Sequence, residues 1–311
     1  MKTVALIGTG IMGAHLARRL AQAGFAVRAW NRTPDKLAPL LVHGVKPCAH
    51  VRDALRDADA AIVMLSSGPV IDRVLFGAED GEDVAAGSAA TPGLGAAIDT
   101  LPRGALLVVM SSIPVETCQA QGKRMAARGV GYSDAPVSGG EPGARDGTLA
   151  IMAGGDASLV ESLADVFAPM GRVTRIGPVG TGQMTKLSNQ IIVGATMAAV
   201  AEAMTFAARG GADPAAWRTA LMGGFADSKI LNLHGQRMVE RNFVPGGPAE
   251  YQLKDMRTAQ AWAEKNGLKF TLLDCVEDMF SSLIERFGTG LDVSAIMREV
   301  ERSVDGKEGK S

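Results

Sequence analysis

The apolar run Val4-Ala5-Leu6-Ile7 ends directly in Gly8-Thr9-Gly10-Ile11-Met12-Gly13. The chain then takes helical spacing from Ala14 to Ala23, with Leu16, Ala17 and Leu20 on one face. A strand, a glycine turn and a helix in that order leave few folds open. The first glycine permits the tight turn, the second lets a ligand approach the backbone, and the third lets helix and strand pack closely. Unpaired N–H groups at the helix start favour an anion over the turn. The arrangement predicts a dinucleotide pyrophosphate on Gly8, Thr9, Gly10, Ile11, Met12 and Gly13, within a doubly wound α/β domain.

The second strand bears on which dinucleotide. Phe25 to Trp30 reads as that strand, and the next residue is Asn31, where a carboxylate would hold the ribose hydroxyls of NAD and repel a 2′-phosphate. A neutral amide stands there instead, followed by Arg32 and Thr33. Arg32 offers a fixed guanidinium fork to a phosphate and Thr33 adds a hydroxyl. The expected cofactor is NADP, with NAD possible.

Short continuous apolar runs at Ala60 to Leu65 and Ala105 to Met110 suit parallel strands buried on both faces. Val130 to Ser133, Ala150 to Ala153 and Val173 to Ile176 are further strand candidates, and Gly77 to Gly104 reads as a glycine- and alanine-rich loop without assigned chemistry. After Gly182 the period turns helical, which predicts a domain over 1–177 and an all-helical one over 178–311. The apolar segment Ile191 to Ala208 is interrupted by Glu202 and reads as a core helix in preference to a membrane span.

A net charge of −1 gives no basic field for nucleic acid. The cysteines, at 48, 118 and 275, show no metal-like spacing and suit a reducing compartment. With no leader expected before the first strand, the reading is of a cytoplasmic enzyme with no membrane partner and no metal.

Four segments together resemble the β-hydroxyacid dehydrogenases. They are the glycine turn; Asp134-Ala135-Pro136-Val137-Ser138-Gly139-Gly140; Gly180-Thr181-Gly182 followed by Lys186, Asn189 and Gln190; and Lys254-Asp255. The likeness extends through about Val300. It implies an α/β Rossmann domain with a mainly parallel sheet, then an all-α domain for substrate binding and oligomerisation, joined through a long interdomain helix. It also implies a homodimer or homotetramer.

The resemblance assigns roles to particular residues. Lys186 becomes the general acid and base that exchanges a proton with the substrate oxygen as hydride moves at carbon. Burial beside a cationic ring would lower such a lysine's pKa towards neutrality. Ser138, Gly139 and Gly140 hold the substrate carboxylate in a backbone nest, with Asn189 and Gln190 on the face of Lys186. Gly143-Ala144-Arg145 and Gly147-Thr148-Leu149 support that loop. Leu65, Ser66, Ser111, Ser112 and Lys254 join the glycine turn, Asn31, Arg32 and Thr33 in contacting the cofactor.

Relatives often have Asn where this chain has Gln190, and the Asn189-Gln190 pair resembles tartronate semialdehyde reductases, as does Gly223 to Ser228. Both favour a small hydroxylated aldehyde acid. The alternatives are 3-hydroxyisobutyrate, glyoxylate or succinic semialdehyde as substrate, an imine reductase, or a non-catalytic dinucleotide-binding module. Val109, Thr9 and Arg19 depart from the family's usual residues, and none of the three removes a catalytic group.

Overall fold

A computed structural model describes residues 2–77 and 96–306. Most of the Gly77 to Gly104 segment, read above as a loop, lies outside the described residues; Ala97–Thr100 forms a short 3-10 turn. The chain forms two compact units that divide between Lys186 and Leu187.

The first unit is built on a sheet of β1 (Thr3–Ile7), β2 (Ala26–Trp30), β3 (Lys46–Pro47), β4 (Ala60–Val63), β5 (Leu106–Val109), β6 (Gly131–Asp134), β7 (Val137–Ser138), β8 (Leu149–Gly154) and β9 (Gly171–Gly177). Among the described residues the spatial order is β3-β2-β1-β4-β5-β6-β8-β7, with β9 beside β8. The pairings from β3 to β6 are parallel; β8 runs antiparallel to β6 and β7 and parallel to β9.

Side-chain alternation explains the unbroken apolar runs. Val4 and Leu6 enter one buried cluster with Leu16, Leu20 and Ile62, while Ala5 and Ile7 enter another with Trp30, Val63 and Val109. A strand covered on both faces needs apolar residues at every position. Each fully buried leucine or isoleucine contributes about 1.5–3 kcal/mol of transfer free energy.

The first helix, Ile11–Gln22, starts three residues before its apolar spacing becomes visible, because Ile11 to Gly13 are already helical within the glycine motif. Two strands escaped the sequence reading. β3 and β7 hold two residues each, too few for a period to show. β3 contains Pro47, which an edge strand tolerates because one side of it makes no ladder bonds.

Helices make up the described elements beyond β9: Thr181–Arg209, Pro214–Leu221, Lys229–Val239, Ala249–Lys265, Thr271–Phe287 and Ile296–Asp305, with a 3-10 turn at Val293–Ala295. Thr181–Arg209 is long and apolar enough to cross a membrane, and 39% of its most apolar window is buried within the chain. Ile192 and Phe206 on it are 67% and 83% exposed.

Asp292, 1% exposed, organises the second unit. Its carboxylate accepts the N–H groups of Gly246 (2.9 Å), Gly247 (3.0 Å) and Ser294 (3.1 Å) and the Ser294 hydroxyl (2.7 Å). Arg237 Nε stands 3.2 Å and His234 Nδ1 3.5 Å away. This carboxylate fixes the approach to Ala249–Lys265, whose preceding residue, Pro248, has no capping side chain.

Candidate active site

The glycine turn lies where chain order reverses across the sheet, since β1 has β2 on one side and β4 on the other. In doubly wound folds ligands bind at the carboxyl ends of the strands beside such a switch. A Cβ on Gly13 would collide with the Gly8 carbonyl oxygen, and one on Gly8 with the Met64 carbonyl oxygen. These two glycines let helix and strand close on each other.

Gly10 differs: a Cβ there meets nothing within 4 Å. Gly10 precedes the Ile11–Gln22 helix, which has neither a capping side chain nor an acid in its first turn. The buried Thr9 hydroxyl is without a hydrogen-bond partner. Bare backbone, open space, a positive helix end and an unsatisfied hydroxyl fit a pyrophosphate.

Around this turn the expected cofactor residues fall into two groups. Arg32, Thr33 and Ser66 are exposed. Asn31 and Ser111 are committed to the scaffold. Asn31 accepts the Thr9 N–H at 3.0 Å and donates to the Thr33 carbonyl at 3.0 Å. Ser111, 2% exposed, accepts the Leu65 N–H at 2.8 Å and donates to the Val63 carbonyl at 3.4 Å. Its hydroxyl shapes the ends of β4 and β5; Ser112 is half-buried.

In the segment expected to hold a carboxylate, Ser138 ends β7 and pairs with Ala150. Gly139 (φ 136°) precedes and Gly140 (φ 61°) begins the helix Gly140–Asp146, both in the left-handed region that a side chain disfavours. Gly143 and Leu149 pack against Gly139. The Gly143 N–H donates to the Gly139 carbonyl at 3.1 Å, and a Cβ on Gly139 would stand 3.2 Å from Leu149 Cδ2. Glu141 in this first turn approaches His15 Nε2 at 3.4 Å, a pairing across 126 residues.

Lys186 is half-buried on the Thr181–Arg209 helix, at the end of the first unit. Asn189, Gln190 and Lys254 belong to the second. There an amide chain forms. Asn189 Nδ2 donates to Gln190 Oε1 at 2.9 Å, Gln190 Nε2 to Gln252 Oε1 at 2.9 Å, and Gln252 Nε2 to the Gln190 carbonyl at 3.0 Å. Lys254 Nζ lies 3.1 Å from the Asp255 carboxylate. Phe225, in the Gly223 to Ser228 segment, is fully exposed within the chain.

Three residues with structural leverage were not singled out in the sequence: Asp134, Gln183 and Gln252. Each lies inside a quoted motif or beside one, and each is a polar side chain at most 3% exposed. An acid or amide among glycine and apolar neighbours was the available signal.

A glycine turn at the switch of a doubly wound sheet, with an uncapped helix start, defines a dinucleotide-binding protein of the dehydrogenase class. Residues 3–194 match the NAD binding domain of 6-phosphogluconate dehydrogenase, and residues 180–300 match the NAD-binding domain of NADP-dependent 3-hydroxyisobutyrate dehydrogenase. The 2-hydroxy-3-oxopropionate reductase of Escherichia coli K12 is 38% identical, covering 95% of this chain and 96% of that protein. Glyoxylate/succinic semialdehyde reductase 1 of Arabidopsis thaliana is 28% identical, covering 96% of this chain and 99% of that protein. A solved 3-hydroxyisobutyrate dehydrogenase from Salmonella typhimurium shares the fold, with a TM-score of 0.84 at 24% identity over 96% of this chain and 99% of that one. The chain belongs to the β-hydroxyacid dehydrogenase family, NAD(P)-dependent oxidoreductases that act on CH–OH groups.

Proposed function

We propose that this protein is an NADP-dependent reductase of a small aldehyde acid, with tartronate semialdehyde as its substrate. The observation that carries the reading is the 38% identity, over nearly the whole of both chains, to 2-hydroxy-3-oxopropionate reductase, which is named for that same compound. The Asn189-Gln190 pair supports it.

Residues 1–177 take the cofactor-binding role and residues 178–311 the substrate and oligomerisation roles. The pyrophosphate rests on Gly8 to Gly13, the exposed Arg32 and Thr33 receive the 2′-phosphate, and Leu65, Ser66, Ser111, Ser112 and Lys254 complete the cofactor contacts. Bound NADPH supplies the hydride to the aldehyde carbon. Ser138, Gly139 and Gly140 hold the substrate carboxylate, with Asn189 and Gln190 beside it. Lys186 gives its Nζ proton to the carbonyl oxygen as that oxygen gains charge, and takes the proton back in the oxidative direction. The exposed Ile192 and Phe206 on the long apolar helix support a homodimer or homotetramer, and the assignment is to the cytoplasm.

The test follows oxidation of NADPH, and separately NADH, with tartronate semialdehyde, glyoxylate, succinic semialdehyde and methylmalonate semialdehyde, using wild type and Lys186→Ala. Rapid NADPH oxidation with tartronate semialdehyde that is lost in Lys186→Ala is expected. A Lys186→Ala protein that keeps most of its turnover removes the lysine from the reaction. Faster turnover of another aldehyde acid reassigns the substrate.

A further inference from the structure

Two polar side chains with no exposed surface, Asp134 and Gln183, meet at the start of the Thr181–Arg209 helix. Asp134 closes β6 and opens the 134–140 segment. One of its oxygens accepts the Gly180 N–H at 2.9 Å and the other the Gln183 N–H at 2.8 Å. These donors belong to the residue before the helix and to its third residue. A capping box satisfies that pair from within a single turn. Here one carboxylate, 46 and 49 residues away in sequence, does both.

Gln183 reaches elsewhere: its Oε1 accepts the Ile113 N–H at 3.0 Å, and its Nε2 donates to the Ser111 carbonyl at 2.8 Å. Close packing makes room for this junction, since a Cβ on Gly182 would lie 2.8 Å from Asp134 Oδ2 and 2.7 Å from the Asp134 carbonyl oxygen. Three segments distant in sequence, 111–113, 134–140 and 180–186, are thereby joined through two side chains, and Lys186 follows Gln183 by three residues.

We propose that Asp134 and Gln183 are positioning residues for the reaction. Together they set the height and rotation of the first turns of this helix, and so the place of Lys186 Nζ, against the 111–113 and 134–140 backbones. The proposal rests on the reading of Lys186 as proton donor; neither side chain touches the reacting atoms. Only a carboxylate suits position 134, because an amide there would turn its NH2 towards one of the two N–H donors. The group is kept despite its cost. Burial raises the Asp134 carboxyl above its usual range, against the lowering by the bonds from Gly180, Gln183 and the Cys118 thiol.

Asp134→Asn and Gln183→Glu are compared with wild type and Lys186→Ala, folding being checked by circular dichroism. Asp134→Asn is expected to lower kcat roughly tenfold to a hundredfold, the scale of an ångström misplacement. NADPH binding should change little, and the isotope effect with deuterated NADPH should rise as chemistry becomes limiting. In Gln183→Glu a protonated carboxyl can replace both amide bonds, whereas the ionised form repels the Ser111 carbonyl. Its turnover relative to wild type should therefore fall as the pH rises, which general loss of structure does not produce.

Normal kcat in both folded variants, with Lys186→Ala inactive, overturns the proposal and leaves the lysine in place. A fully active Lys186→Ala overturns the reading beneath it. Where Asp134→Asn does not fold, Gln183→Glu decides alone, and a ratio near one at every pH overturns the proposal. If wild type reduces none of the aldehydes, the variants are compared by the rate of reductive methylation at Lys186, and unchanged rates overturn it.

Discussion

The Asn31 side-chain oxygen accepts the Thr9 N–H, and through the same amide the segment that follows β2 is tied to the glycine turn. Asn31 is thus occupied at both ends, whereas Arg32 is exposed, and the proposed function gives it the cofactor's 2′ position. Replacing Arg32 with Asp should remove a charge-assisted bond of about 1.5–3 kcal/mol, so that NADPH affinity falls roughly tenfold to a hundredfold while NADH affinity changes little. Titration of both cofactors by fluorescence checks this. Equal losses for the two would show that Arg32 does not meet the phosphate.

Gly10 and Gly13 separate binding from folding. An Ala at position 10 enters open space at a φ of −69°, which any residue adopts, so the unfolding temperature should hold while cofactor binding weakens. An Ala at position 13 runs into the Gly8 carbonyl. It should cost at least about 1–3 kcal/mol of stability, the usual scale for overpacking a close contact. Urea unfolding paired with NADPH titration distinguishes the two; a Gly10→Ala protein that binds NADPH normally would place the pyrophosphate elsewhere.

Gln252 holds Gln190 by two hydrogen bonds from a site only 3% exposed. With Gln252→Leu, Gln190 loses this restraint, and KM for the aldehyde acid should rise about tenfold, the equivalent of one net hydrogen bond or a little more. The ranking among aldehyde acids should flatten, and NADPH affinity should be unaffected. An unaltered substrate ranking would separate Gln190 from selectivity.

Asp292 makes the second unit sensitive to acid. Burial favours its neutral form, but the bonds from His234, Ser294, Gly247 and Gly246 outweigh that and hold the carboxyl far below the usual carboxylate range. Its stabilisation is therefore present above the unfolded value of about 3.9 and is lost as pH falls towards the folded value. At neutral pH Asp292→Asn should cost about 3–5 kcal/mol, the range for breaking a buried charged cluster. Denaturant unfolding of wild type and variant should converge as the solution is made strongly acidic, and a gap that persists unchanged there would contradict the assignment.

Much of this was written locally. The unbroken apolar runs of β4 and β5 marked strands covered on both faces, and the glycine spacing marked the turn at the switch point. The residues that hold the site were less visible. Asp134 acts on a helix start in another part of the chain, and Gln183 acts on a backbone some seventy residues earlier, at separations of 70 and 72. Their partners are peptide groups, which carry no residue identity, so no pattern of side chains discloses them. Ser111 is similar: the resemblance gave it a cofactor contact, while its hydroxyl bonds to the Leu65 N–H and the Val63 carbonyl are again to peptide groups that no residue pattern discloses.

Asp134 and Asp292 also bear on the order in which the chain assembles. Asp134 reaches 46 and 49 residues to the start of Thr181–Arg209, and Asp292 reaches 46 and 45 residues to the glycines just before Ala249–Lys265. Closing loops of that length costs chain entropy before any bond forms. The middles of both helices can therefore form early from local contacts, while their first turns lock only after the distant aspartate arrives. In refolding followed by pulsed hydrogen exchange, the Gly180, Gln183, Gly246 and Gly247 amides should gain protection later than amides in the helix centres.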